Sequence, residues 1–345
     1  MQDEIKYVQD EIKYVQDEIK RHLEKLKGES SADSQAASVC EVKPGVLRTP
    51  DECFVDLPDF SFEPHYVEVN GLRIHYLDEG PRDADPILLM HGEPTWCFLY
   101  RKMIPGLVAA GHRCIAPDLI GFGKSDKLAS RNDYSYKFHV DTMNEFVRAI
   151  ELRNITLFCQ DWGSLIGIRV LIDNRDRFTH LIVANGGLPT GDAPSDEYKT
   201  AVESFKTWLD FSQTTENFPV GKIANGHCAS DLTDDVIAAY DAPFPNDAYK
   251  EAAWLFPSLV PISEDDPESE NNRKGWKVLT EWEGKVLTLF SNLCPYSKGG
   301  EMPFQKFMLG GKGQPHEIIQ GGGHFVQEDK GELLAEKIVN WLGKW

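Results

Sequence analysis

Three short segments carry residue types that could do covalent chemistry. The first is Cys159-Gln160-Asp161-Trp162-Gly163. An apolar run, Ile155–Gln160, leads straight into Asp161, and a helical pattern continues from Gly163 to about Asp173. That context lifts a nucleophile onto a sharp strand-to-helix turn. Here the group is a carboxylate, which can form a covalent ester. Cys159 stands where such turns often carry Gly, and Gly163 keeps the far side small. An Asp at this place would serve equally as a helix N-cap. The second segment is His91-Gly92-Glu93-Pro94, directly after the apolar run Pro86–Met90. Its backbone could aim the Glu93 N–H at a developing oxyanion, with the Trp162 N–H as the second donor. A tight Gly-Pro turn would read the same way. The third is His324 in Gly321-Gly322-Gly323-His324-Phe325. It is placed as a general base, although the chain holds ten histidines. The order of nucleophile and then histidine, each in its own strand context, favours the chemical reading.

The elements that must position these residues alternate. Tyr66–Val69 and Leu72–Leu77 flank Asn70-Gly71, a hairpin signal. Pro86–Met90, Arg113–Ala116, Ile155–Gln160 and His180–Ala184 read as buried strands separated by amphipathic helices. Lys285–Phe290 and His316–Ile319 add late strands, and Gly331–Leu342 has helical periodicity. The expectation is an α/β fold with a mostly parallel sheet flanked by helices. Its core is assigned to 46–188 and 278–345. Residues 189–277 break the alternation and are expected to form a helical lid over the strand ends, where open α/β sheets bind ligands. From Leu188 to Lys277 there are 17 acidic and 7 basic side chains, a net of −10.

Composition excludes several classes. The 345 residues are 41% hydrophobic and 26% charged, enough apolar material for a large core. The net charge of −19 makes nucleic acid and anionic membranes poor partners. No apolar run approaches the roughly 20 residues of a membrane span, and no signal-peptide pattern opens the chain. The seven scattered cysteines lack metal-site or disulfide-framework spacing, which suggests reduced thiols in the cytoplasm. Residues 1–27 carry Gln-Asp-Glu-Ile-Lys-Tyr-Val repeats with Ile5, Val8, Ile12, Val15 and Ile19 at coiled-coil spacing. They read as an oligomerisation helix or as an idle tail. Residues 28–45 read as a flexible linker.

From Val46 onward the chain resembles the haloalkane dehalogenases of the α/β-hydrolase superfamily. The likeness rests on Leu47-Arg48-Thr49-Pro50-Asp51-Glu52, His91-Gly92-Glu93-Pro94-Thr95-Trp96 and Asp118-Leu119-Ile120-Gly121-Phe122-Gly123-Lys124-Ser125-Asp126. It continues through Gln160-Asp161-Trp162-Gly163 and His324-Phe325-Val326-Gln327-Glu328. The entry segment and Asn185 look like the subfamily whose triad acid follows the later strand. The resemblance implies α/β-hydrolase architecture and attack by Asp161 on a halogen-bearing carbon. It implies halide binding by Trp162 and Trp208, with Phe205 in the substrate pocket, and ester hydrolysis by water activated at His324. No metal or organic cofactor is implied. The substrate would be a small neutral organic halide, with water and a released halide ion as the other partners. In the family pattern the strand ending near Phe290 is followed by Ser-Asp, with the Asp as triad acid. Here Asn292 takes that place, which predicts slow turnover. Asn185, the place used by the sister subfamily, carries no carboxylate either.

Two other functions fit parts of the sequence. An epoxide hydrolase would need two lid tyrosines, for which Tyr198, Tyr240 and Tyr249 are available. A non-catalytic binding protein on a hydrolase scaffold would account for Asn292.

Overall fold

The computed structural model describes residues 20, 21, 23, 24, 39–196 and 198–343. The heptad repeat of residues 2–19 lies outside the described residues. Eleven strands are present among them. A small sheet joins β1 (Glu41–Lys43), β2 (Val46–Leu47) and β7 (Lys127–Leu128). The main sheet comprises β3 (His65–Val69), β4 (Leu72–Glu79), β5 (Pro86–Met90), β6 (Arg113–Pro117), β8 (Ile155–Asp161), β9 (Phe178–Gly186), β10 (Lys285–Ser291) and β11 (Glu317–Ile319). Their order is β11-β10-β9-β8-β5-β6-β4-β3. Six strands from β11 to β6 run parallel. β4 is antiparallel to both of its neighbours.

The sequence explains this layering. The five residues of β5 are all buried, as are the first six of β8. Continuous apolar strands of this kind need cover on both faces. Helices Tyr136–Ala149 and Trp162–Asp173 supply part of it, and nine of the twelve residues in the second are buried. The β3–β4 hairpin turns at Asn70 and Gly71, both at positive φ.

Among the described residues five α-helices lie between β9 and β10: Lys199–Thr214, Val220–Gly226, Asp234–Asp241, Glu251–Leu255 and Ser269–Glu281. The expected boundary at residue 277 therefore falls inside the last of them. The indole of Trp276 donates to Leu188 O at 2.8 Å, so that helix end is stitched to the start of the segment. The C-terminal helix begins earlier than expected, at Val326, with non-helical Lys330 inside Val326–Leu342.

Candidate active site

The parallel strands β5 and β8 are neighbours and end together, which brings the first two sequence segments side by side. Asp161 has φ 51° and ψ −130°, a backbone conformation that costs a non-glycine residue roughly 1–3 kcal/mol. Its carboxylate makes no capping bond to the helix that follows, so the N-cap role is not the one it plays. Instead the Glu93 N–H donates to Asp161 Oδ1 at 2.7 Å. A Cβ on Gly92 would collide with the Asp161 carboxylate, and one on Gly163 would collide with Met90 O. Both glycines are required by close approach. Ser164 Oγ donates to Asp161 O at 2.5 Å and accepts from the Gly187 N–H at 2.7 Å. The strained turn is thus over-determined from several directions.

His324 approaches the other carboxylate oxygen of Asp161. Its Nε2 lies 3.4 Å from Asp161 Oδ2. Three attachments hold its loop. The His324 N–H donates to His227 O at 2.7 Å. The Gly323 N–H donates to Asp329 Oδ2 at 2.8 Å. Asn185 Nδ2 lies 2.9 Å from Gly323 O and 3.0 Å from His324 O. Asn185 Oδ1 also accepts from the Ser291 N–H at 2.8 Å, so one buried amide ties the ends of β9 and β10 to the histidine loop. The helix after the loop is anchored by the buried pair Arg101–Glu328 at 2.6 Å, to which the Tyr240 hydroxyl donates at 2.6 Å.

The acid place differs from the expectation. Asn292 is exposed, and its Oδ1 accepts from the Gly321 N–H at 2.8 Å. It braces the loop away from the ring. The partner of His324 Nδ1 is Cys294, with Sγ at 3.2 Å. Cys294 is 3% exposed, and among the described residues no carboxylate is bonded to Nδ1. The loop leaves β10 at Ser291, sends Asn292 and Leu293 outward and turns back with residue 294. Burial of His324 opposes a charged ring, but Cys294 and Asp161 outweigh it and push its pKa up to about 10.

Glu93, Asp161, Trp162, Phe205, Trp208 and His324 all line one small chamber of about 40 Å³. Pro94, Ile223, His227, Pro257, Tyr296 and Phe325 complete its wall. Space on this scale accepts one or two water-sized species. A cleft of about 1060 Å³ meets the chamber at Asp161, Trp162, Phe205, Tyr296 and His324. The Glu93 carboxyl is wholly buried. Burial and the nearby Asp161 charge hold its pKa well above the usual carboxylate range, and its Oε1 has no partner.

Sequence reasoning missed Cys294, the Tyr296–His227 pair at 2.7 Å and the tethering role of Asn185. A loop of unknown course gives no count from strand end to ring, so Cys294 had no signal beyond its position two residues past the expected acid.

The three candidate lid tyrosines part company. Tyr240 serves Glu328, and the Tyr249 hydroxyl accepts from the Cys40 N–H at 2.8 Å. Tyr198 lines the large cleft. Among the described residues one group has metal-ligand types in reach, namely His75, Cys97 and Asp118. The Asp118 carboxylate there already accepts from the Cys97 and Lys124 N–H groups, at 2.8 Å each, and pairs with His75 Nδ1 at 2.7 Å. Its lone pairs are committed to the fold. No helix among the described residues is long and apolar enough to cross a membrane.

Residues 85–212 match the alpha/beta hydrolase fold family. A haloalkane dehalogenase of Psychrobacter cryohalolentis is 52% identical over 302 residues, covering 86% of this chain and 98% of that protein. Haloalkane dehalogenase 1 of Mycobacterium tuberculosis is 44% identical, covering 86% and 98%. A tetrameric haloalkane dehalogenase from Paraglaciecola agarilytica superposes with a TM-score of 0.76 at 36% identity, over 85% of this chain and 97% of that one. With the elbow, the histidine loop and these relatives in place, the chain is a hydrolase and belongs to the haloalkane dehalogenase family of the α/β-hydrolase fold.

Proposed function

We propose that the chain hydrolyses small neutral haloalkanes in two steps at the chamber. Asp161 attacks the carbon bearing the halogen, in line with the breaking bond. The carbon–halogen pair leaves with the halide, and an alkyl ester remains on Asp161. The halide gains charge between Trp162 and Trp208, whose indole N–H groups donate and cannot accept. Water then gives a proton to His324 Nε2 while its oxygen attacks the ester carbonyl. The Glu93 N–H on Asp161 Oδ1, with the Trp162 N–H, supports the charged tetrahedral oxygen. The alkoxide leaves, takes the proton from Nε2 and departs as alcohol; the carboxylic acid left at Asp161 then gives its proton by way of His324 to solvent, which restores the carboxylate.

The convergence of six named side chains on one 40 Å³ chamber supports this reading most directly. The test is bromide release from 1-bromobutane in H₂¹⁸O. Repeated turnover should place the label in the Asp161 carboxylate, seen by peptide mass spectrometry. Absence of bromide release, or label confined to the alcohol, would overturn it. An epoxide hydrolase is less well supported, because two of its three candidate tyrosines are bonded elsewhere.

The proposal extends to architecture and assembly. The segment between β9 and β10 acts as the lid, contributing Phe205, Trp208, Ile223 and His227 to the chamber. The heptads of residues 1–27 pair copies of the chain. Removing them should lower the mass seen by light scattering at unchanged activity per chain.

A further inference from the structure

The two steps make different demands on His324. In the first, Asp161 is a carboxylate 3.4 Å from Nε2 and needs no base. In the second, Asp161 has become a neutral ester. The ring must then accept a proton with that charge gone. Its remaining polar surroundings are countable. Gln160 Nε2 lies 3.1 Å from His324 Nε2 and also donates to His324 O at 3.2 Å. A carbonyl oxygen only accepts, so the amide presents its NH₂ end to both. It thereby favours the tautomer with the lone pair on Nε2 and the proton on Nδ1. Tyr296 packs edge-on to the ring at 5.2 Å, and its hydroxyl is engaged with His227 Nε2. His227 itself is 6.2 Å away between ring centres, with Nδ1 on Ile223 O. Desolvation raises the pKa of the other ionisable groups nearby, Glu93 and the half-buried Tyr198, above their ordinary values. Cys294 Sγ, 3.2 Å from Nδ1, is the one group in this set placed to face the ring cation with an opposite charge.

We propose that Cys294, as a thiolate, does for His324 what a triad carboxylate does in the usual arrangement, and that it does so for ester hydrolysis alone. The inference rests on the two-step reading above. A thiol against an imidazole can pass its proton to the ring, as in Cys–His catalytic pairs. In the alkyl-enzyme, loss of one proton from that pair leaves a thiolate accepting the Nδ1–H, with Nε2 free. Water gives its proton to Nε2 as its oxygen bonds to the ester carbon. The imidazolium so formed is neutralised by the thiolate across Nδ1. When the ester C–O bond breaks, the alkoxide takes the proton from Nε2; Asp161 emerges as a carboxylic acid and passes its proton to Nε2, which restores its carboxylate and returns to the pair the proton it had lost. Sulfur gains and loses no electrons, and Cys294 is a positioning residue that never touches the substrate.

A thiolate is a stronger base than a carboxylate and holds the Nδ1 proton more tightly, so the thiolate–imidazolium pair surrenders its last proton less readily than a carboxylate–imidazolium pair. In the free chain Cys294 and Asp161 together raise the ring pKa; in the ester the Asp161 contribution is gone and that of Cys294 remains. A group with a raised pKa stays protonated until the pH climbs through that value. Hydrolysis should therefore speed up with pH across the neutral range.

The experiment is rapid-quench kinetics on the full chain with 1-bromobutane from pH 6 to 10, reading bromide and the Asp161 ester separately. The unmodified chain should give a burst of about one bromide per site, then a slow phase rising roughly tenfold per pH unit. Cys294→Ser keeps the size and a hydrogen bond but cannot ionise in this range. It should leave the burst within about threefold and slow the second phase about a hundredfold. Cys294→Asp should keep the burst, accelerate the slow phase at pH 7 and move its rise by two or more pH units to the acid side. Unfolding midpoints of the two variants, measured in parallel, separate misfolding from mechanism. A slow phase of unchanged rate and pH profile in both folded variants would overturn the role of Cys294. No burst and no ester in the unmodified chain would instead overturn the two-step reading itself.

Discussion

The two sides of the chamber are built by opposite means. On the nucleophile side, position is fixed locally. Asp161 sits on the last residue of β8, clamped by the Glu93 N–H, by Ser164 and by two glycines that admit no Cβ. On the histidine side, position is fixed at long range. One amide, Asn185, gathers groups more than 100 residues away along the chain, and a loop that first runs outward returns a thiol to the ring. A local device shows in a five-residue motif. A long-range device depends on where a loop goes, and no motif records that. On the Asp161 side the expected carboxylate is present, whereas on the histidine side a sulfur stands beside the ring.

The largest effect should come from breaking the local side. Asp161→Asn keeps the shape and the Glu93 contact but removes the nucleophilic charge. Bromide release should fall by at least about 10⁴-fold, burst and slow phase together. The check is single-turnover halide release with the ester sought by mass spectrometry. Residual turnover within a hundredfold of the unmodified chain would mean that another group attacks.

Trp208→Phe addresses the wall between the two sides. Trp208 is 6% exposed, stacked with Phe211 at 5.6 Å and edge-on to His227 at 5.2 Å. Phe retains most of that packing and loses the N–H. If the indole steadies the leaving halide, the burst should slow about a hundredfold, the loss expected for one well-placed donor. The slow phase, in which no halide leaves, should change little. Equal slowing of both would assign Trp208 to packing.

Asn185→Ala tests the long-range side. It leaves the Ser291 N–H without its acceptor and withdraws a donor from Gly323 O and His324 O. Stability should drop by about 1–3 kcal/mol in urea titration, as for other buried polar groups left unpaired. In the chain that remains folded, ester hydrolysis should suffer more than alkylation, because only hydrolysis requires the histidine loop. A variant with both phases slowed equally would show that Asn185 supports the two sides alike.

The same contrast explains how much could be read beforehand. Continuous apolar runs located the parallel strands, since burial on both faces of a parallel sheet demands such runs, and Asn70-Gly71 located the hairpin. The elbow was legible because strand, turn and small residue are adjacent. The histidine was legible because glycines precede it and a helix follows. The end of the segment expected as a lid, residue 277, falls inside helix Ser269–Glu281, because Trp276 and its neighbours keep helical periodicity past it. The partner of His324 was misplaced by two residues. Asn292 begins the loop, but its exposed side chain spends its oxygen on Gly321.

The smallest expected effect is therefore the one that the sequence alone ranks highest. Were residue 292 the acid's place, Asn292→Asp would supply the missing charge and speed hydrolysis greatly. Its actual setting argues otherwise. A carboxylate accepts the Gly321 N–H as well as the amide oxygen does, so the brace on the loop survives. The new charge sits in water, where interactions beyond the Debye length of about 10 Å at 0.1 M salt are screened. Cys294, not residue 292, continues to fill the space beside Nδ1. Stability should change by no more than about 0.5 kcal/mol, as at most exposed positions. Burst and slow phase should each stay within about twofold, and the pH profile should not move. A slow phase accelerated tenfold with its rise shifted to acid would mean that the loop after β10 re-folds in solution to bring residue 292 against the ring. The histidine side would then be set by the first residue after the strand, and the contrast with the nucleophile side would disappear.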